Sequence, residues 1–197
     1  MSIKTLGFLL TLALLVFWAI GAHNRLVRLK NSITHSYEQI DVQLKNRYDL
    51  ITNLLDAAKK YLLHEERILD AVMTARNLVR SASDAVRIRP TNSRIVTTWT
   101  ATEQTLEGSL SQLFAVAETY PEFKGDLAIQ ALGEELTSTE SKVNFARQTY
   151  NDAVLSYNNA RRQFPVILIS RLFGFAPSAM LRVTKTVKER QVVHIQL

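Results

Sequence analysis

Leu26–Leu62, "LVRLKNSITHSYEQIDVQLKNRYDLITNLLDAAKKYL", decides the fold. Apolar or semi-apolar residues recur at Leu29, Ile33, Tyr37, Ile40, Leu44, Tyr48, Ile51, Leu55, Ala58 and Leu62. Counted from Leu26, their mean spacing is about 3.6 residues, the period of a straight amphipathic helix rather than the 3.5 of a left-handed supercoil. No Gly or Pro interrupts the run. One apolar stripe of this length must be buried against other helices, so the chain is expected to be all-α.

Upstream, Thr5–Ala22 carries no charge and consists mostly of Leu, Ala, Val, Phe, Ile and Trp. Eighteen helical residues rise about 27 Å, just short of the roughly 30 Å hydrocarbon core of a bilayer. Ile3 and the flanking residues supply the remainder. The rival reading is a cleaved signal peptide with a small-x-small site at Ala19-x-Gly21. The apolar stretch is long for a signal and Trp18 crowds that site, so an uncleaved anchor running into the Leu26 helix as one rod is expected. Lys4 precedes the segment, and Arg25, Arg28 and Lys30 follow it. The positive-inside rule then places the body in the cytoplasm, with the periplasm as the alternative.

Downstream, a second helix fits His64–Ser83 through Ile68, Leu69, Val72, Ala75 and Val79. Asp84–Thr98 breaks the pattern with Pro90, Asn92 and Ser93 and reads as a loop. A third helix is expected over Trp99–Tyr120 and a fourth over Lys124–Phe164, with Pro121 between them and Pro165 as a stop. Whether Tyr61–His64 is a turn or continuous helix stays open. Four amphipathic helices with short connections favour an antiparallel four-helix bundle with long straight helices. The chain then divides into an anchor (1–24), a bundle (25–165), an apolar interfacial or bundle-end segment (166–181) and a basic tail (182–197). The tail ends in "VVHIQL", which has strand propensity; it is disordered or pairs with a neighbouring copy.

Two segments resemble the LemA family: Gln39–Glu65, "QIDVQLKNRYDLITNLLDAAKKYLLHE", and Leu113–Phe175, with its "AETYPEFK" turn and "ARQTYNDAV" stretch. The resemblance implies a single-pass bacterial membrane protein with a helical bundle and no established enzymatic activity. Some relatives carry a lipoprotein signal; this chain has no cysteine to modify.

The absence of cysteine also excludes disulfides, thiolate metal sites and a cysteine nucleophile. His23, His35, His64 and His194 share no i, i+4 face, so no zinc helix forms. Phosphate-binding glycine loops are absent too. No cofactor, metal site or catalytic residue is expected, and Glu118, Glu122, Glu134, Glu135 and Glu140 read as solvated faces and caps. Polar residues inside the bundle-forming stretches are Gln39, Asp41, Asn53, Arg76, Glu140, Arg147, Asn151 and Asp152. Asn53, Arg76, Glu140, Arg147 and Asn151 are the expected buried polar network, which would fix helix register; a ligand site is the alternative.

Lys and Arg total 24 against 18 Asp and Glu, a net charge of +6. Anionic lipid, not nucleic acid, is the expected acidic partner of an anchored chain. If the helices alternate direction, the membrane-proximal end gathers 13 of the 24 basic residues. Arg25, Arg28, Lys30, Arg87, Arg89, Arg94 and Arg171 are expected to contact the membrane, with Arg161, Arg162, Arg182, Lys185, Lys188 and Arg190 nearby. The distal turns hold Glu65, Glu66, Glu118 and Glu122. Phe164–Phe175 is too short to span a bilayer. Phe164, Ile167, Phe173 and Phe175 either lie in the interface with Arg171 snorkelling or plug the open bundle end. These features suggest a non-enzymatic membrane-anchored scaffold that self-associates at a bacterial membrane and organises or shapes it. An adaptor for another membrane protein and a ligand sensor or enzyme are the alternatives.

Overall fold

The computed structural model describes residues 3–181. The expectations for the tail 182–197, including Arg182, Lys185, Lys188 and Arg190, concern residues outside this range. The described residues form six helices: α1 (Ile3–Ala58), α2 (Glu66–Ile88), α3 (Ser93–Ala117), α4 (Pro121–Gly125), α5 (Leu127–Arg162) and α6 (Val166–Leu172). There is no strand among them. The uninterrupted stripe produces one 56-residue α1, which at 1.5 Å per residue extends about 84 Å. Apolar segment and body are therefore one helix, as the sequence suggests.

The stripes of α1, α2, α3 and α5 meet in a single core. Ile33, Tyr37, Ile40, Leu44 and Ile51 face Val72, Val79, Val96, Trp99, Leu106, Val143, Tyr150 and Val154. α5 pairs along α1, and α2 pairs with α3. Lys60 meets Asp126, while Tyr37 meets Tyr150 near the other end, so α1 and α5 run in opposite directions. Leu44 and Leu113 are fully buried from two of these helices. Leu→Ala at either site costs about 2–5 kcal/mol through lost burial and the cavity left behind. Thermal unfolding followed by circular dichroism should show the loss for each variant; unchanged melting of both would misplace the helix faces.

The helix ends differ from expectation where packing overrides local punctuation. Tyr61–His64 is a turn, with Leu62 buried beneath it, and α2 begins at Glu66. Asp84–Thr98 is largely helical rather than a loop. Val86 and Val96 continue the buried stripes of α2 and α3, so Pro90 interrupts only Arg89–Asn92. Asn92 then caps α3, its side-chain oxygen accepting from the Arg94 and Ile95 amides. The last long helix starts at Leu127, later than Lys124, because Asp126 caps it through the Ala128 and Ile129 amides. The second oxygen of Asp126 accepts from Lys60 and Tyr61. Those two bonds hold its carboxyl well below the usual carboxylate range.

Candidate functional site

Three charged residues occupy core positions, one on each of three helices. Arg47 of α1 and Arg147 of α5 each donate to the same Glu103 oxygen on α3 at 2.8 Å. The Tyr48 hydroxyl donates to the other oxygen at 3.2 Å. The three charged side chains are more than nine-tenths buried. The Arg147 guanidinium also lies over the Trp99 ring at 5.4 Å. Burial alone would raise the Glu103 carboxyl; Arg47 and then Arg147 outweigh it and hold the group below its ordinary value of 4.5. Both carboxylate oxygens are committed to donors, so the group ties α1, α3 and α5 together.

Only part of the predicted network joins this cluster. Arg147 belongs to it, and Glu140 acts electrostatically on Arg47 across a cleft of about 120 Å³ that both line. Arg76 instead binds α2 to α1, donating to the Tyr48 carbonyl at 3.2 Å. Asn151 holds the backbone of Leu181. Asn53 is exposed, a correction to its place in a buried network, as are Gln39 and Asp152. Asp41 is buried but bridges to Lys45 one turn on. Arg47 and Glu103 were not among the expected polar residues, and Tyr48 was expected only as part of the apolar stripe. Their signal is a charge set into the apolar stripe: Leu44–Arg47–Ile51, Trp99–Glu103–Leu106 and Val143–Arg147–Tyr150 share the same three- and four-residue steps. No group of His, Asp and Glu able to hold a metal occurs among the described residues.

The second cluster lies where the uncovered part of α1 meets the body. α6 lays Val166 and Ile169 against Ala22 and Leu26 of α1 and Ala160 of α5. The edges of Phe173 and Phe175 pack on the His23 ring at 4.7 and 5.4 Å. The opposite face of this region exposes Leu168, Phe173, Phe164 (83 %) and Leu172 (76 %). Ile167 is half-buried and Phe175 packs inward. α6 thus closes the end of the α1–α5 pair with one face and leaves the other apolar face open. Arg171, Arg25, Arg28 and Lys30 are exposed around it. Arg161 in the last turn of α5 keeps Nε and Nη1 buried with no partner among the described residues.

Arg87, Arg89 and Arg94 are exposed but set back. The Tyr37 hydroxyl donates to the Ser83 carbonyl, so the α2 end falls about ten residues, or ~15 Å, short of Ala22 along α1. At the far end, Lys59, Lys60 and Lys124 stand among Glu65, Glu66, Glu118 and Glu122. Lys60 pairs with Asp126 there, and Tyr120 donates to Glu65. That end is therefore mixed in charge rather than acidic.

The sequence profile of the LemA family matches residues 36–197, beginning within α1 and covering all the later helices. No curated protein matches the chain. With the profile spanning all of the body beyond the first turns of α1's buried stripe, the chain belongs to the LemA family.

Proposed function

We propose that the protein is a non-enzymatic, membrane-anchored helical scaffold that self-associates at a bacterial membrane and organises or shapes it. One observation carries the reading. The first part of α1 is long and apolar enough to cross a membrane. Its Leu6, Phe8, Leu10, Leu14 and Phe17 are exposed among the described residues, yet the same helix continues unbroken into the core. A helix apolar all round needs lipid or protein about it. The open face of α6 adjoins that segment, which supports a second, interfacial contact with the same bilayer. Arg25, Arg28 and Lys30 beyond the segment, against Lys4 before it, support a cytoplasmic body.

Self-association is supported by the outer groove between α1 and α5. Val42 and Phe145 (74 % exposed) form its apolar centre. Gln39, Gln43, Ser138, Ser141 and Lys142 rim it. An apolar centre within a polar rim is the usual anatomy of a protein interface. The mixed charge of the far end gives the adaptor reading no comparable support.

The lipid contact is tested with the body starting at Gly21, since the removed residues make no contribution to either core cluster beyond Ala19. This body should co-sediment with anionic vesicles more strongly than with neutral ones. Salt should weaken binding, because exposed charges are screened over about 8 Å at physiological ionic strength. Leu168→Glu with Leu172→Glu should reduce binding more than ten-fold, because burying each leucine is worth about 1.5–3 kcal/mol. Equal binding of the variant, or no binding by the parent body, would remove α6 from the membrane.

A further inference from the structure

Residues 1–37 and 153–181 supply the apolar part of α1, the last turns of α5 and all of α6, and neither stretch contains an Asp or Glu. Together they hold seven Lys and Arg. The first acids beyond them are Glu38, Asp84 and Asp152. Those stand near the level of Tyr37, which bonds Ser83 and packs on Tyr150. That level is about 20 Å along α1 from His23.

Two polar side chains are buried without a partner where α1, α5 and α6 meet. Arg161 leaves Nε and Nη1 unbonded, and His23 leaves Nδ1 unbonded, among the described residues. Their chain neighbours Ala160 and Ala22 share one apolar cluster with Leu26. Phe175 packs on the His23 ring at 5.4 Å. One turn before Arg161, the Tyr157 hydroxyl donates to the Ala176 carbonyl. Asn158 and Asn151 hold the rest of this strap, 176–181, along α5. Arg161 is half-buried, and Nη2 is the guanidinium nitrogen left at the surface.

A guanidinium keeps its charge, and taking it out of water without a counter-charge is costly. Arg47, Arg147 and Arg76 in the same body each face a carboxylate. Arg161 has none, and no acid of its own neighbourhood can reach it. The anion has to come from outside the fold, and depth says from where. His23 is the first ionisable residue after the uncharged stretch Thr5–Ala22. Leu26, which shares its cluster with Ala160, lies about 4.5 Å further along α1. A headgroup layer is about 5–7 Å deep on each side of the hydrocarbon. The corner therefore stands at the height of the lipid phosphates.

We propose that this corner binds the phosphate of an anionic phospholipid through Arg161 and His23. The proposal rests on the reading of α1 as a membrane span and names the lipid class that surrounds it. Phosphate oxygens accept from the guanidinium edge and from the imidazole N–H, and arginine–phosphate bonds are among the stronger charge-assisted ones. The exposed Leu168 and Leu172 of α6 offer apolar surface to an acyl chain. A zwitterionic headgroup would bring an ammonium group that finds no carboxylate here, so phosphatidylglycerol is preferred over phosphatidylcholine.

The test uses the full chain, delipidated in a non-ionic detergent and melted under circular dichroism as lipid is titrated. Phosphatidylglycerol should raise the melting temperature saturably. Phosphatidylcholine should need at least ten times the concentration for half the rise, and inorganic phosphate at the same concentration should give none. Arg161→Gln should need at least ten times more phosphatidylglycerol than the parent, and His23→Leu at least three times more. Arg162→Gln, which removes the exposed neighbouring charge, should change the requirement less than two-fold. Without lipid, Arg161→Gln should melt no lower than the parent, because it removes a buried charge that has no partner. A lipid-free melting point well below the parent's would make Arg161 a structural residue and overturn the site. An unchanged response in Arg161→Gln or His23→Leu would overturn it, and so would equal responses to the two lipids. An equal loss in Arg162→Gln would show diffuse surface charge instead of a site. Inorganic phosphate matching phosphatidylglycerol would show a free-anion site and overturn the lipid. Fractionation of cells into membrane and soluble parts judges the spanning reading apart from all these results.

Discussion

Replacing Glu103 by alanine should lower the melting temperature of the detergent-purified protein by about 6–20 °C. The substitution leaves the Arg47 and Arg147 guanidinium groups buried and without their common carboxylate. Removing one partner from a buried ion pair costs roughly 3–5 kcal/mol, and for a body of this size each kcal/mol moves the midpoint by about 2–4 °C. The triple change Arg47→Met, Glu103→Leu, Arg147→Met removes every charge at once and should recover much of the loss. pH separates the two. The folded Glu103 carboxyl is held below its ordinary 4.5. A depressed carboxyl contributes its stability in full above the unfolded pKa and loses it as pH falls through the folded value. The parent protein should therefore lose stability below about pH 4, and the triple variant should lose less. Melting of Glu103→Ala at the parent temperature would mean that the cluster does not hold the helices together.

The second large effect is on membrane retention. Leu10→Arg with Leu14→Arg should move the protein from the membrane fraction toward the soluble fraction or toward loss by proteolysis. Each arginine at the centre of a spanning helix opposes insertion by about 2.5–3.5 kcal/mol. Both leucines are exposed and touch neither core cluster, so the body should fold as before. Its melting curve, measured on whatever protein is recovered, should match that of the parent. Unchanged membrane retention would assign attachment to α6 or to a partner rather than to the apolar end of α1.

The fold was legible because long stripes at one period leave few alternatives. The run from Leu26 to Leu62 dictates a helix, and α1 follows it almost to the end. Boundaries were less legible. Pro90 and Asn92 signal an interruption but not its width; burial of Val86 and Val96 narrows the expected loop to one turn. The buried ion cluster was hidden for another reason. Arg47, Glu103 and Arg147 sit at stripe positions where a charge reads as a gap in the pattern. Glu103 lies 56 and 44 residues from its two arginines, so no local spacing pairs them. Asn151 was singled out as a polar residue of the helical stretch, but its partner is the backbone of Leu181. The strap has no periodicity to read, and its place is set by side chains of α5 some 20 to 30 residues earlier.

The proposed scaffold requires copies of this long helical protein to associate with one another. Multi-angle light scattering of the full chain purified in detergent, with the detergent contribution subtracted, measures the protein mass of the particle directly. Self-association gives an assembly of many copies containing this chain alone, present at low detergent and independent of any co-purifying protein. A particle of one chain's mass, 22.3 kDa, or a complex of one copy with a different membrane protein, would contradict it.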